Sequence, residues 1–311
     1  MPGISLHVSP RKIRSLISHQ ERTPVDVRLL SQVELNIIRS EAYRKLTSNY
    51  GESLLTQDDN SLRSVLDDTS VELSLWLDEW TTIVSTEQTR HQRAVALQNL
   101  HIQRQWALMT LYLKAIATTG IENIAIMTDF QQDSVRKAKE AAACHLHHVL
   151  EASVSPYSSP SHSDQVQRSS YLSSFKWTLD YVWAKCAFSV LLVLKLSILL
   201  RDPVPSVILL LRDAHRLLEE LKRVTVGHIA YFQILQTSIE KCEAALREYV
   251  AQQNTASNLD STSPESARAA EDEFQGYAPN EFVFEWDFPG LNLKHMPLGW
   301  QDFFIDIDSL F

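Results

Sequence analysis

The run Val182-Trp183-Ala184-Lys185-Cys186-Ala187-Phe188-Ser189-Val190-Leu191-Leu192-Val193-Leu194-Lys195-Leu196-Ser197-Ile198-Leu199-Leu200 is either a membrane span or the centre of a helical core. A span needs about 20 mostly apolar residues, and a charge near the middle of the bilayer is costly. Lys185 and Lys195 interrupt this run. It therefore reads as a buried helix of a soluble protein, and no membrane partner is expected. That choice sets the fold class, because the neighbouring segments also carry helical periodicity.

Downstream, Asp202-Pro203 reads as a stop and restart, since Pro fits the first turn of a new helix and Asp can cap it. Val207, Leu210, Leu211, Ala214, Leu217, Leu218 and Leu221 then form an apolar stripe. After Gly227 a second stripe follows, through Ile229, Phe232, Leu235, Ile239, Cys242, Leu246 and Tyr249. Upstream, the run belongs to a helix expected from about Tyr171 to Leu200. Ahead of it lies a loop over 151–168, whose Ser153–Ser163 stretch is rich in serine and holds Pro156 and Pro160.

Further upstream, a helix over about Asp129 to Leu150 presents a small face at Ala138, Ala141 and Ala142. A longer one over about Arg93 to Ala117 puts Val95, Ile102, Trp106, Met109, Leu113 and Ile116 on one side. Leu97, Leu100, Leu108 and Leu111 lie around the rest, so neighbours should enclose it. Ser31-Gln32-Val33-Glu34 and Thr69-Ser70-Val71-Glu72 each have the spacing of a capping box, in which the hydroxyl accepts a free helix N–H and the carboxylate reaches back. Each precedes an apolar stripe: Leu35, Ile38, Ala42 and Leu46 after the first, Leu73, Trp76, Leu77 and Trp80 after the second. The expectation is all-α: a loosely ordered segment over 1–30, a multi-helix body over 31–251, a polar linker over 252–273 and a tail over 274–311.

The tail has two textures. Phe282, Phe284, Trp286 and Phe288 alternate with Val283, Glu285 and Asp287, a period of two that suits an extended strand. Trp300, Phe303, Phe304, Ile307 and Leu310 recur at helical spacing, with Asp302, Asp306 and Asp308 between them. Mixed acidic and aromatic segments dock on grooves of other proteins. The strand-like half reads as packing on its own domain. The helical half reads equally as packing there or as a recruiting element with Trp300, Phe303, Phe304 and Ile307 as anchors.

The 311 residues carry a net charge of -9, which argues against an autonomous nucleic-acid binder needing a basic face. Arg11, Lys12 and Arg14 form one small basic cluster, a hint of nuclear targeting. Cys144, Cys186 and Cys242 are odd in number and far apart, which fits a reducing compartment and excludes a disulfide framework. The first twenty residues lack the order of a signal peptide.

Three constellations invite a chemical reading. Cys144, His145, His147 and His148 resemble metal ligands, yet on a helix Cys144 and His148 share a face while His145 points elsewhere, and ordinary surface or satisfied helix histidines are the preferred reading. Asp67, Asp68 and Glu72 have the look of the carboxylate cluster of all-α terpene synthases. Asn36, Ser40 and Arg44 hold the spacing of its second motif, but Arg44 stands where a carboxylate is needed. Trp106, Tyr112, Trp177, Tyr181 and Trp183 could line an internal pocket for a small hydrophobic effector. No Gly-rich phosphate loop, nucleophile elbow or Cys-x-x-Cys pair occurs. No enzyme activity, metal or cofactor is expected.

Three stretches together resemble the C-terminal half of the fungal-specific transcription factor domain, the helical regulatory region of fungal regulators with a two-zinc, six-cysteine cluster. The first is Val33-Glu34-Leu35-Asn36-Ile37-Ile38-Arg39, followed after a variable loop by Leu75-Trp76-Leu77-Asp78-Glu79-Trp80. The most specific is Leu179-Asp180-Tyr181-Val182-Trp183-Ala184-Lys185-Cys186-Ala187-Phe188, leading into the apolar helix. The third runs from Phe288-Pro289-Gly290-Leu291 through Pro297-Leu298-Gly299-Trp300-Gln301-Asp302. The resemblance implies nuclear localisation, transcriptional regulation, an all-α regulatory domain, and partners among the transcriptional machinery or its co-regulators. It departs at the zinc cluster, since this sequence holds three scattered cysteines. DNA would be reached only through a missing cluster or a partner, as in a truncated regulator or a product that kept the regulatory half.

Overall fold

A computed structural model of the chain describes residues 23–48, 59–86, 90–116, 127–151, 181–224, 235–244, 246–248 and 251. Every regular element among the described residues is helical, as the periodicities require: α1 Pro24–Ser48, α2 Asp59–Ser85, α3 Arg90–Ala115, α4 Asp129–Leu150, α5 Tyr181–Leu199 and α6 Val204–Val224. A further helical run covers 235–244 and 246–248. The helices fall into two compact units, α1 to α3 and α4 to the 235–248 run, with the division at Lys114.

In the first unit, α1 begins a full two turns earlier than the sequence suggests. Its cap is Thr23-Pro24-Val25-Asp26: the Thr23 N–H and hydroxyl donate to Asp26 Oδ2 at 2.8 and 2.7 Å, and Asp26 N–H donates to Thr23 Oγ1 at 3.3 Å. Pro24 costs nothing there, because its missing N–H belongs to the unsatisfied first turn. Neither expected capping box caps a helix. Ser31 and Thr69 both lie inside helices and turn their hydroxyls back onto the carbonyls of Arg28 and Val65, at 2.7 Å each. No breaker precedes either residue, so helix propagation wins over local capping.

Glu34 serves tertiary structure instead. Trp80 Nε1 donates to Glu34 Oε2 at 2.7 Å, and Trp76 Nε1 donates to the Ser31 carbonyl at 3.1 Å. These bonds fasten α2 to α1, with Val27, Leu35, Ala42 and Leu46 of α1 and Leu62, Leu66, Leu73, Trp76, Trp80 and Val84 of α2 buried. Burial of each such leucine or valine contributes about 1.5–3 kcal/mol. Arg104 of α3 donates to Ser74 Oγ at 3.0 Å. From Trp106 to Leu113, α3 is buried around nearly its whole circumference, as expected.

The second unit is built around α5. Residues 186–197 are all buried, including Ser189, Lys195 and Ser197, so the helix is central and not merely amphipathic. α4 packs against it, and the small side chains Ala138, Ala141 and Ala142, all buried, permit close approach. α4 carries a complete capping box, Thr128 with Gln131, that the sequence reading passed over. The turn between α5 and α6 is a Schellman arrangement: Asp202 N–H donates to Ser197 O at 2.9 Å, and Arg201 takes the left-handed position at φ 54°. Asp202 does not cap α6. Its carboxylate receives Lys139 Nζ of α4 at 2.5 and 2.7 Å, while the Pro203 carbonyl accepts from Ser206 and Val207. Arg216 of α6 donates to the terminal carbonyl of Leu150 at 3.0 Å. With Lys139 matched to Asp202 and Leu150 to Arg216, α4 and α6 run in the same direction. His215 Nε2 meets Glu243 Oε1 at 2.6 Å, tying on the 235–244 run, whose Leu235, Ile239 and Cys242 are buried.

Candidate interaction surfaces

Two of the three stretches that resemble the fungal domain acquire a structural role. The indoles of Trp76 and Trp80 bind residues at and just before the start of Val33–Arg39, so those two motif halves form one contact. The motif that ends in Phe188 runs into the central helix, with Cys186, Ala187 and Phe188 buried. Leu179 and Asp180 lie outside the described residues, as does the whole third stretch.

The residues proposed to recruit partners, Trp300, Phe303, Phe304 and Ile307, likewise lie outside the described residues, as do residues 274–311 as a whole. Of the five aromatics assigned to a pocket, Trp106 and Tyr112 sit buried in α3, 3% and 8% exposed. Trp177 lies outside the described residues. Tyr181 and Trp183 open α5, with side chains that are not described.

The carboxylate cluster lies on the outer side of α2, where Asp67, Asp68 and Glu72 are exposed. Asp67, Ser70, Val71, Ser74 and Leu75 line an open groove of about 340 Å³. Val71 and Leu75 are 60% and 63% exposed, one helical turn apart. Sequence reasoning passed over them because the core stripe runs through Leu73, Trp76 and Trp80. The only available signal was that Val71 and Leu75 fall out of register with it. On α1, Asn36 is engaged within its own helix: its Oδ1 accepts from Arg39 at 3.4 Å. Arg39 is buried, and its guanidinium also reaches the Tyr43 hydroxyl at 3.3 Å and lies 5.6 Å from that ring's centre.

The Cys144–His148 cluster is split by α4, as helical spacing predicts. His145 is buried, and burial, aided by the positive charges of Lys185 and His148, pushes its imidazole down to about 3. His148 lies 3.4 Å from Glu151 Oε2. Among the described residues no three His, Cys, Asp or Glu side chains come together as a metal-holding group. Burial pushes the Cys186 and Cys242 thiols up to about 12, which leaves both protonated and inert. No helix of the described residues is long and apolar enough to cross a membrane. Comparison of the chain with protein-family models, curated proteins and solved structures finds no match.

Proposed function

We propose that the chain is the regulatory and activating portion of a fungal transcription regulator, acting in the nucleus through protein partners. The observation that carries this reading is the acidic-aromatic tail, Trp300, Phe303, Phe304 and Ile307 interleaved with Asp302, Asp306 and Asp308, attached to a helical body. Its support is the resemblance of three stretches to the fungal-specific transcription factor domain, two of them at structurally committed places. The mechanism transforms nothing chemically. The helical body presents or covers the tail, and the output is which surface a co-regulator finds. Helix-in-groove recruitment concentrates energy in a few large apolar side chains, while the carboxylates keep the segment soluble and steer it.

The test is a fusion of all 311 residues to a heterologous DNA-binding domain in a fungal host carrying a matched reporter. Activation above the DNA-binding domain alone is expected. Reporter output at or below that baseline would count against an activating role.

A further inference from the structure

Opposite its core stripe, α2 sets two apolar side chains among carboxylates. At about 100° per residue, Leu75 stands roughly 200° around the helix from the buried Leu73. The packing that claims Leu73, Trp76 and Trp80 therefore leaves Val71 and Leu75 outside, 60% and 63% exposed. Asp67 and Asp68 lie one turn before Val71, Glu72 flanks it, and Asp78 lies one turn after Leu75; all four acids are exposed. Between Asp59 and Glu79 the helix holds six carboxylates and one cation, Arg63. Arg104 of α3 meets the rim at Ser74, to which it donates at 3.0 Å.

A single exposed leucine is ordinary. Two apolar side chains one turn apart over an open groove, fenced by charges of one sign, have the make-up of a helix-docking face. The carboxylates decide the occupant. They repel the phosphates of nucleic acid and of anionic lipid, and they attract and register cations. From Asp67 to Asp78 the acidic flank runs about 16 Å, three turns at roughly 1.5 Å per residue. We propose that this face docks a basic amphipathic helix of a partner protein. Its apolar side chains, one turn apart, cover Val71 and Leu75, and Lys or Arg one turn beyond them on each side meet Asp67, Asp68 and Asp78. This surface is separate from the tail, so the inference goes beyond the recruiting role proposed for Trp300 and Phe304.

The probe is a fluorescein-labelled, alanine-based peptide of about 16 residues, long enough to be partly helical. It carries Leu at i and i+4 and Lys one turn before and one turn after them; its control has Glu in place of every Lys. Fluorescence anisotropy against the full chain at low salt reads binding. Saturable binding of the Lys peptide is expected, and none of the Glu peptide. Val71→Ser, Leu75→Ser leaves the net charge unchanged and is expected to weaken binding about tenfold. Asp67→Asn, Asp68→Asn, Glu72→Gln should weaken it as much, as should about 0.5 M salt, where surface charges are screened. Asp67→Lys, Asp68→Lys, Glu72→Lys should take the Glu peptide instead. All substituted residues are exposed, and unchanged thermal midpoints would show that the fold is intact. Absence of binding would overturn the proposal. Equal affinity in Val71→Ser, Leu75→Ser would overturn it too, reducing the attraction to the net charge of -9. So would self-association of the peptide-free chain that this double substitution abolishes, which would assign the face to a second copy.

Discussion

Arg201 occupies the left-handed position that closes α5, where a side chain crowds its own backbone by about 1–2 kcal/mol and glycine does not. Arg201→Gly is therefore expected to stabilise the chain by about 1 kcal/mol, read as a higher denaturant midpoint with unchanged slope. An unchanged or lower midpoint would mean the Arg201 side chain contributes contacts that offset the backbone cost. The bond between Trp80 Nε1 and Glu34 Oε2 sets a second expectation at this scale. A double-mutant cycle of Trp80→Phe and Glu34→Ala should give a coupling of about 1.5 kcal/mol. Additive losses would show that the bond contributes nothing beyond packing. Residues of this kind are where sequence reading fails. Ser31, Glu34 and Thr69 fit a capping box by spacing, and nothing local reveals that the helix began earlier or that an indole 46 residues away would claim the carboxylate. Asp202 looks like a cap for the same reason, and only the fold brings Lys139 to it.

At the scale of elements the sequence was far more legible. The bounds of α4 match the expected Asp129 to Leu150, because a capping threonine precedes it and the apolar period is unbroken. The centrality of α5 was legible in its continuous apolar run, and burial of residues 186–197 bears it out. Leu194→Asp would place an unpaired carboxylate there, a defect of several kcal/mol and comparable to a domain's total stability. Insoluble or uncooperatively melting protein is expected, and a normal melt would show α5 to be replaceable. His145 adds a pH dependence. Its imidazole titrates near 6.5 when unfolded but only near 3 when buried, so the unfolded chain binds the proton first on acidification. Stability is therefore intact above pH 6.5 and falls as the pH drops toward 3, by about 2 kcal/mol between pH 6.5 and pH 5. His145→Gln should flatten the thermal midpoint across that window. A wild-type midpoint that is level from pH 7 to pH 5 would contradict the burial argument.

For the whole molecule, the helical class was readable from periodicity, whereas the division at Lys114 was not, because α3 runs without a break up to it. Of the candidate sites, the acidic groove is half legible in the sequence: its carboxylates Asp67, Asp68 and Glu72 stand out, whereas Val71 and Leu75 are hidden by the stronger core stripe beside them. Charge and cysteine content lead to a further expectation. With a net charge of -9 and no cysteine cluster, the pure chain should not shift DNA selectively in a mobility assay at moderate salt. A salt-sensitive, sequence-selective shift would overturn that. We propose that the tail recruits partners rather than supporting the fold, and a single comparison decides between the two. In the full-chain reporter fusion, Trp300→Ala with Phe304→Ala is expected to abolish activation and Asp302→Asn to weaken it less, while the thermal midpoint of the doubly substituted chain stays within about 2 °C of wild type. Undiminished activation by the double substitution, or a loss of activation accompanied by a collapse in thermal stability, would contradict the claim and make these aromatics part of the core.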